Sequence, residues 1–211
     1  MEIITQLVIV LGVVLVSMVI HEIMHGLVAH WLGDDTAKDN GRLSLNPFKH
    51  LDPIMSIAVP MLLALTGGPI FGGAKPVPID TRRLKWGPWG MALVAIAGPI
   101  TNFLLAFIGF LIGHFTGIIY VNGLAGDIAS QFILINLGFC VFNLLPIPPL
   151  DGSRVLYAMM PNAVREIMEK IEQFGIIIVF GLILIFGAAF SQLMIGAIGS
   201  ILRFFMWTVG Y

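Results

Sequence analysis

The chain has 211 residues, of which 58% are hydrophobic and 11% charged, with a net charge of −1 and a mean hydropathy of +0.97. This composition excludes an ordinary soluble domain and places the chain in a membrane. No basic run is interleaved with aromatics, so nothing points to nucleic-acid binding, and the single Cys140 cannot form an internal disulfide and reads as a small core residue.

Residues 3 to about 32 predict one long helix, uncharged from 3 to 20 and stopped at Gly33-Asp34-Asp35. It lacks the basic n-region and small-residue cleavage site of a signal peptide, so it is expected to be retained as a span. Residues 34 to 52 are polar and belong outside the hydrocarbon. The apolar run 54 to 65 contains Pro60 and is too short for a span, which suggests a re-entrant or shallow element. The Gly/Pro-rich stretch TGGPIFGGAKPVPID suggests an extended or hairpin segment, with prolines suited to an edge strand.

From Gly87 to about Ile119 the chain is long enough to cross, with Trp86 and Trp89 as interface anchors at its basic end. Gly98, Pro99 and Asn102 interrupt its apolar face, and Gly98 would permit close helix packing. A second crossing is expected at 128 to 145, running into Pro146-Ile147-Pro148-Pro149-Leu150-Asp151-Gly152. PNAVREIMEKIEQ spaces its charges as a surface helix does. Residues 174 to 209, about 54 Å if one helix, exceed one bilayer and predict two crossings, or one crossing plus a shallow return, turning near Ala188 to Gln192. The expected fold is an all-α integral membrane protein: a polytopic helical bundle of about four to six membrane segments with a re-entrant Gly/Pro-rich segment. It is expected to form a single membrane-embedded domain over 1–211, with its core at about 3–160 and C-terminal membrane segments at 174–209.

The chemistry is concentrated in His21-Glu22-Ile23-Met24-His25. On a helix His21 and His25, four residues apart, share a face and can reach one metal ion. Glu22 lies about 100° around the helix, where it can hold a metal-bound water. Ionisable groups at membrane depth are expensive and usually functional. His30 falls on the opposite face and reads as interfacial. A third protein ligand is needed to complete a zinc site with an open position. The extended pattern H-E-x-x-H-x-x-G-x-x-H is excluded, because Trp31 and Val28 stand at its remaining positions.

Among the carboxylates, Glu2 lies toward the opposite membrane face, Glu166, Glu169 and Glu172 sit on the surface helix, and Asp34, Asp35, Asp39, Asp52 and Asp80 are in polar loops. Asp127 lies at the end free of Lys and Arg. Asp151, at a proline-stiffened turn closing a span, is the best candidate, with a helix N-cap as its alternative role. For it to reach the histidines, the helices at 3–32 and 128–145 must run in the same direction and residues 54 to 80 must make no net crossing. Lys38, Arg42, Lys49, Lys75, Arg82, Arg83, Lys85, Arg154, Arg165 and Lys170 then share one side, which the positive-inside rule makes cytoplasmic.

HEIMH at a helix end, together with NLLPIPPLDG, GRLSLNPFKHLDP, FGGAKPVP and AIAGPITN, resembles the compact prokaryotic branch of the site-2 protease family of intramembrane zinc metalloproteases, over residues 3 to about 160. The resemblance implies His21, His25 and Asp151 as ligands of one zinc ion, Glu22 as catalytic base, and Asn143 as a substrate- or oxyanion-contacting residue. It also implies a multi-pass protein of a prokaryotic cell membrane that cleaves transmembrane-helix substrates within the lipid bilayer, with a homo-oligomer left open. A PDZ domain has no room here. Two other functions fit the residues less well. A zinc-binding adaptor without proteolytic activity would not require Glu22. A metal or proton transporter would spread its ionisable groups along a path through the midplane.

Overall fold

The computed structural model describes residues 2–51 and 75–211. The described residues form seven α-helices and no strand: α1 (Glu2–Trp31), α2 (Thr36–Asp39), α3 (Pro88–Thr116), α4 (Leu124–Asn143), α5 (Asp151–Met159), α6 (Asn162–Glu172) and α7 (Gly175–Thr208). Four of these, α1, α3, α4 and α7, are long and apolar enough to cross a membrane. The fold is therefore the expected polytopic helical bundle. The expected re-entrant run at 54–65 and most of the Gly/Pro-rich segment lie outside the described residues; its last part, 75–80, carries no regular secondary structure.

Local chemistry sets the helix ends. Proline at the first position of α3 has no amide hydrogen to leave unsatisfied. The same helix stops at Gly117, whose φ of 76° is left-handed and open to glycine without strain. Its expected end near Ile119 falls in a short 3-10 turn at Ile118–Tyr120.

Side-chain pairs fix the direction of each helix. His25 meets the Val94 carbonyl and His21 meets Asn102, so α1 and α3 are antiparallel. Asn136 meets Ser17 while Asp151, eight residues beyond α4, meets His21, so α1 and α4 run in parallel. Lys75 N–H donates to the His50 carbonyl at 2.8 Å, so the described chain resumes beside the place where it breaks off. The parallel course of α1 and α4 expected for the approach of Asp151 is met, while most of the stretch 54–80 expected to make no net crossing lies outside the described residues.

The apolar run 174–209 differs from expectation. α7 passes through 188–192 without a turn and departs from helical geometry only at Phe186 (φ −113°, ψ 22°). It starts with Gly175 against Pro149 and ends with the Tyr211 ring 5.8 Å from that of His114, at the opposite end of the bundle. It therefore crosses once. Excess apolar length had suggested the turn, but GAAFSQ contains no proline, and a long helix can tilt or kink instead of reversing. Near its far end Arg203 is the exception to the otherwise one-sided distribution of cations.

Three apolar clusters hold the arrangement. Phe205 of α7 packs on Ala106 and Phe110 of α3 and on Ile133 and Leu137 of α4. Ala29, Leu32, Leu84 and Val94 clasp the end of α1 to the turn before α3. Leu150, Val179 and Ile183 fix the proline turn against α7. The charged helix α6 lies almost wholly exposed, as its pattern predicts.

Candidate metal centre

Two imidazoles and one carboxylate converge between α1, α3 and the start of α5. His21 Nε2 and His25 Nε2 are 3.0 Å apart, and Asp151 Oδ2 lies 3.2 Å from the first and 3.4 Å from the second. Both histidines are buried. Asp151 Oδ2 is also buried, yet it has no hydrogen-bond partner. A buried carboxylate oxygen without a donor is costly unless a cation accompanies it.

The sequence around Asp151 explains its delivery. The turn Pro146–Leu150 folds back so tightly that a side chain at Gly152 would collide with the Leu144 and Leu145 carbonyls. Leu150 takes the cap position of α5 and Asp151 is the first helical residue, so its side chain is directed to the histidines instead of acting as an N-cap.

The far side of each ring is also held. His25 Nδ1 lies 2.7 Å from the Val94 carbonyl oxygen, which can only accept, so Nδ1 carries the proton and the lone pair is on Nε2. His21 Nδ1 lies 2.5 Å from Asn102 Oδ1. Asn102 Nδ2 donates to Asn136 Oδ1 at 2.8 Å, and Asn136 Nδ2 donates to Ser17 Oγ at 2.9 Å and to the Phe132 carbonyl at 2.9 Å. The chain of bonds has one direction: Asn102 turns its oxygen to His21, so His21 also donates from Nδ1 and presents Nε2 unprotonated. This is how metal-ligating histidines are prepared. Gly98 completes the cradle, since a Cβ there would sit 2.5 Å from His21 Cε1 and 2.6 Å from each Nε2. The donor set and its clearance fit a zinc ion with three protein ligands and an open position.

Glu22 is half-buried, and its carboxylate lies with the two histidines in a group whose ligand atoms are all within 4.8 Å of one another. Its Oε2 accepts the Val77 N–H at 3.0 Å, the one amide hydrogen of Pro76-Val77-Pro78. Asp34 and Arg42 hold the same strip, accepting the Asp80 N–H at 2.7 Å and donating to the Lys75 carbonyl at 2.5 Å. Asn143 is half-buried and donates its amide to the Phe139 carbonyl of its own helix at 3.1 Å. His30 pairs with Asp35 at 2.5 Å, away from the centre. Sequence reasoning had singled out Asn102 as an interruption of an apolar face and Gly98 as a place for close helix packing, and missed Asn136, Ser17 and Val77. A polar residue inside an apolar span was the available signal for the first two.

A membrane-embedded helical bundle with this His-Glu-His-Asp centre is built as a metalloenzyme, and comparison with known proteins gives the family. The profile of Peptidase family M50 matches residues 122–186. "Putative zinc metalloprotease YwhC" of Bacillus subtilis is 42% identical over 170 residues, 78% of this chain and 74% of that protein. "Putative zinc metalloprotease Rip2" of Mycolicibacterium smegmatis is 32% identical over 171 residues, 78% of this chain and 62% of that protein. "Putative zinc metalloprotease MJ0611" of Methanocaldococcus jannaschii is 44% identical over 66 residues, covering 30% of this chain and 31% of that protein. The chain belongs to peptidase family M50, the site-2 protease family of zinc metalloproteases. No solved structure matches it.

Proposed function

We propose that the chain is a zinc-dependent intramembrane endopeptidase, organised as one membrane-embedded domain, that hydrolyses peptide bonds within or near transmembrane helices of protein substrates. His21, His25 and Asp151 hold one zinc ion, Glu22 is the catalytic base, and Asn143 contacts substrate. The reading is carried by the convergence of two lone-pair-bearing Nε2 atoms on the unpartnered Asp151 Oδ2, within 3.0–3.4 Å of one another, in a bundle of membrane-spanning helices. A zinc ion held there supplies Lewis acidity to a carbonyl and lowers the pKa of water toward roughly 7.

Glu22 accepts the proton of the attacking water and hands it to the leaving amine. Its bond to Val77 N–H aims the carboxylate and ties the base to the strip 75–80. A helical substrate must unwind before its carbonyl can be attacked, and edge pairing along 71–78 would hold the freed strand. Residues 71–74 lie outside the described part. In 75–78 the amide hydrogens of Lys75 and Val77 are already committed and the prolines have none, so a substrate strand can pair there only by donating to carbonyls. The cations clustered at the end of the bundle that holds the centre support a cytoplasmic active site by the positive-inside rule.

The test is Glu22→Gln in reconstituted protein. Zinc content should stay at the wild-type level while cleavage of a transmembrane test substrate falls by about 10²- to 10⁴-fold. Full retained cleavage would overturn the assignment of the base. Undiminished zinc in Asp151→Ala would remove the third ligand.

A further inference from the structure

The turn between the strip 75–80 and α3 is clamped onto the end of α1. Lys85 N–H donates to the Leu32 carbonyl at 2.9 Å, the Arg83 carbonyl lies 3.3 Å from where a Cβ of Gly33 would be, and Leu84 is buried among Ala29, Leu32 and Val94. With Leu84 pointing inward, Arg82, Arg83, Lys85 and Trp86 all point out. Trp86 adopts a left-handed φ of 65°, a costly conformation for a large side chain, and its ring is 68% exposed. Arg82 forks onto Asp80 at 2.9 Å, and Arg83 is 3.6 Å from the same carboxylate. Three cations face the carboxylates of Asp80 and of the buried Asp34, which accepts the Asp80 N–H at 2.7 Å, and leave a surplus of one positive charge, flanked by exposed Trp31, Trp86 and Trp89.

Directly below this turn runs an apolar groove between α1 and α3, of about 340 Å³, lined on α1 by Met24, Val28 and Trp31 and on α3 by Leu93, Ile100 and Leu104. From Leu93 to Leu104 it extends about 16 Å along the helix, roughly the depth of one leaflet of a 30 Å hydrocarbon core. Cations and indoles at one end of a leaflet-deep apolar groove are complementary to a lipid that is anionic at the head and apolar below.

We propose that this turn and groove form a binding site for an anionic phospholipid, its phosphate held by Arg82, Arg83 and Lys85 and one acyl chain lying between α1 and α3. The lipid then borders the metal centre, because Met24 and Ala97 of the groove are the chain neighbours of His25 and Gly98.

The site is tested on the full chain in nanodiscs of phosphatidylcholine containing a minor fraction of phosphatidylglycerol, released into native mass spectrometry. The wild type should retain phosphatidylglycerol out of proportion to its share, and rising salt should weaken that preference. Replacing Arg82, Arg83 and Lys85 together by alanine should lower the preference by about fivefold for each charge lost. Asp80→Asn should raise it, and Ile100→Trp, which fills the groove, should reduce the lipid retained. An unchanged preference in both the triple variant and Asp80→Asn overturns the headgroup site. Complete competition by glycerol 3-phosphate would show a free-anion site instead. Mole-for-mole displacement by a transmembrane peptide would show that the groove belongs to a polypeptide, and either result overturns the proposal.

Discussion

Gly98→Ala is the most direct test of the geometry of the metal centre. The new methyl carbon would stand 2.5 Å from His21 Cε1 and 2.6 Å from His21 Nε2 and His25 Nε2, where non-bonded contacts need about 3.5 Å. The rings must therefore withdraw by about 1 Å. Neither can swing freely, because His21 is fastened at Nδ1 to Asn102 and His25 to the Val94 carbonyl. Metal-ligand distances tolerate only about 0.2 Å, so the misfit falls on zinc affinity. Overpacking of this kind costs about 1–3 kcal/mol, which corresponds to roughly 5- to 150-fold in affinity. The assay is zinc content by elemental analysis during titration with a chelator. Gly138→Ala is the control, since a Cβ at Gly138 meets nothing within 4 Å, and it should keep wild-type zinc. If Gly98→Ala released zinc at the same chelator concentration as wild type, the cradle described above would be wrong.

Asn102→Leu removes the acceptor for His21 Nδ1 and should weaken zinc binding by about 10- to 100-fold, read by the same chelator titration. Asn102→Asp keeps that acceptor but loses the donor to Asn136, so it should retain more zinc than Asn102→Leu. Asn136→Leu frees Ser17 and the donor of Asn102 together and should lower the thermal midpoint by several degrees, measured by intrinsic fluorescence in detergent. The Arg154–Glu172 ion pair joining α5 to α6 is about one-third exposed on each side, so Glu172→Ala should cost less than about 1 kcal/mol and leave zinc content intact. The hydrogen bonds from Arg82 hold the Asp80 carboxyl down at about 2. That pair keeps its charge above the ordinary carboxylate range and loses it only as pH falls through about 2; Arg82→Ala should move the carboxyl upward, as carbon-detected NMR would record.

The centre was legible where its chemistry is rare in this composition. In a chain with 12 acidic residues and five histidines, a pair of histidines at helical spacing was conspicuous, and elimination with one topological condition left Asp151. That condition also recovered the parallel course of α1 and α4 before any contact was known. The single crossing of α7 was not legible, because apolar length alone cannot distinguish a tilted helix from a hairpin. Nor was the Val77 bond to Glu22, which joins residues 55 apart through a backbone atom that every residue except proline carries. Asn102, Asn136 and Ser17 were visible as polar residues within spans, but their partners lie on different helices, and no local pattern states which meets which.

Those three side chains connect the fold to the chemistry. Each would be destabilising if buried unpaired among apolar helices, and the bundle satisfies them in series across α1, α3 and α4. Ser17 and His21 are one turn apart on the same face of α1, so the chain of bonds starts and ends on one helix. A slip of α4 by one turn, about 5.4 Å, would break the bond from Asn136 to Ser17. It would also carry the proline turn, and Asp151 with it, away from the imidazoles. The register that satisfies the buried amides is therefore the register that brings His21, His25 and Asp151 together, and the direction of the final bond leaves His21 Nε2 unprotonated. A polar chain that looks like a cost to the fold is what aligns three separate crossings around one site.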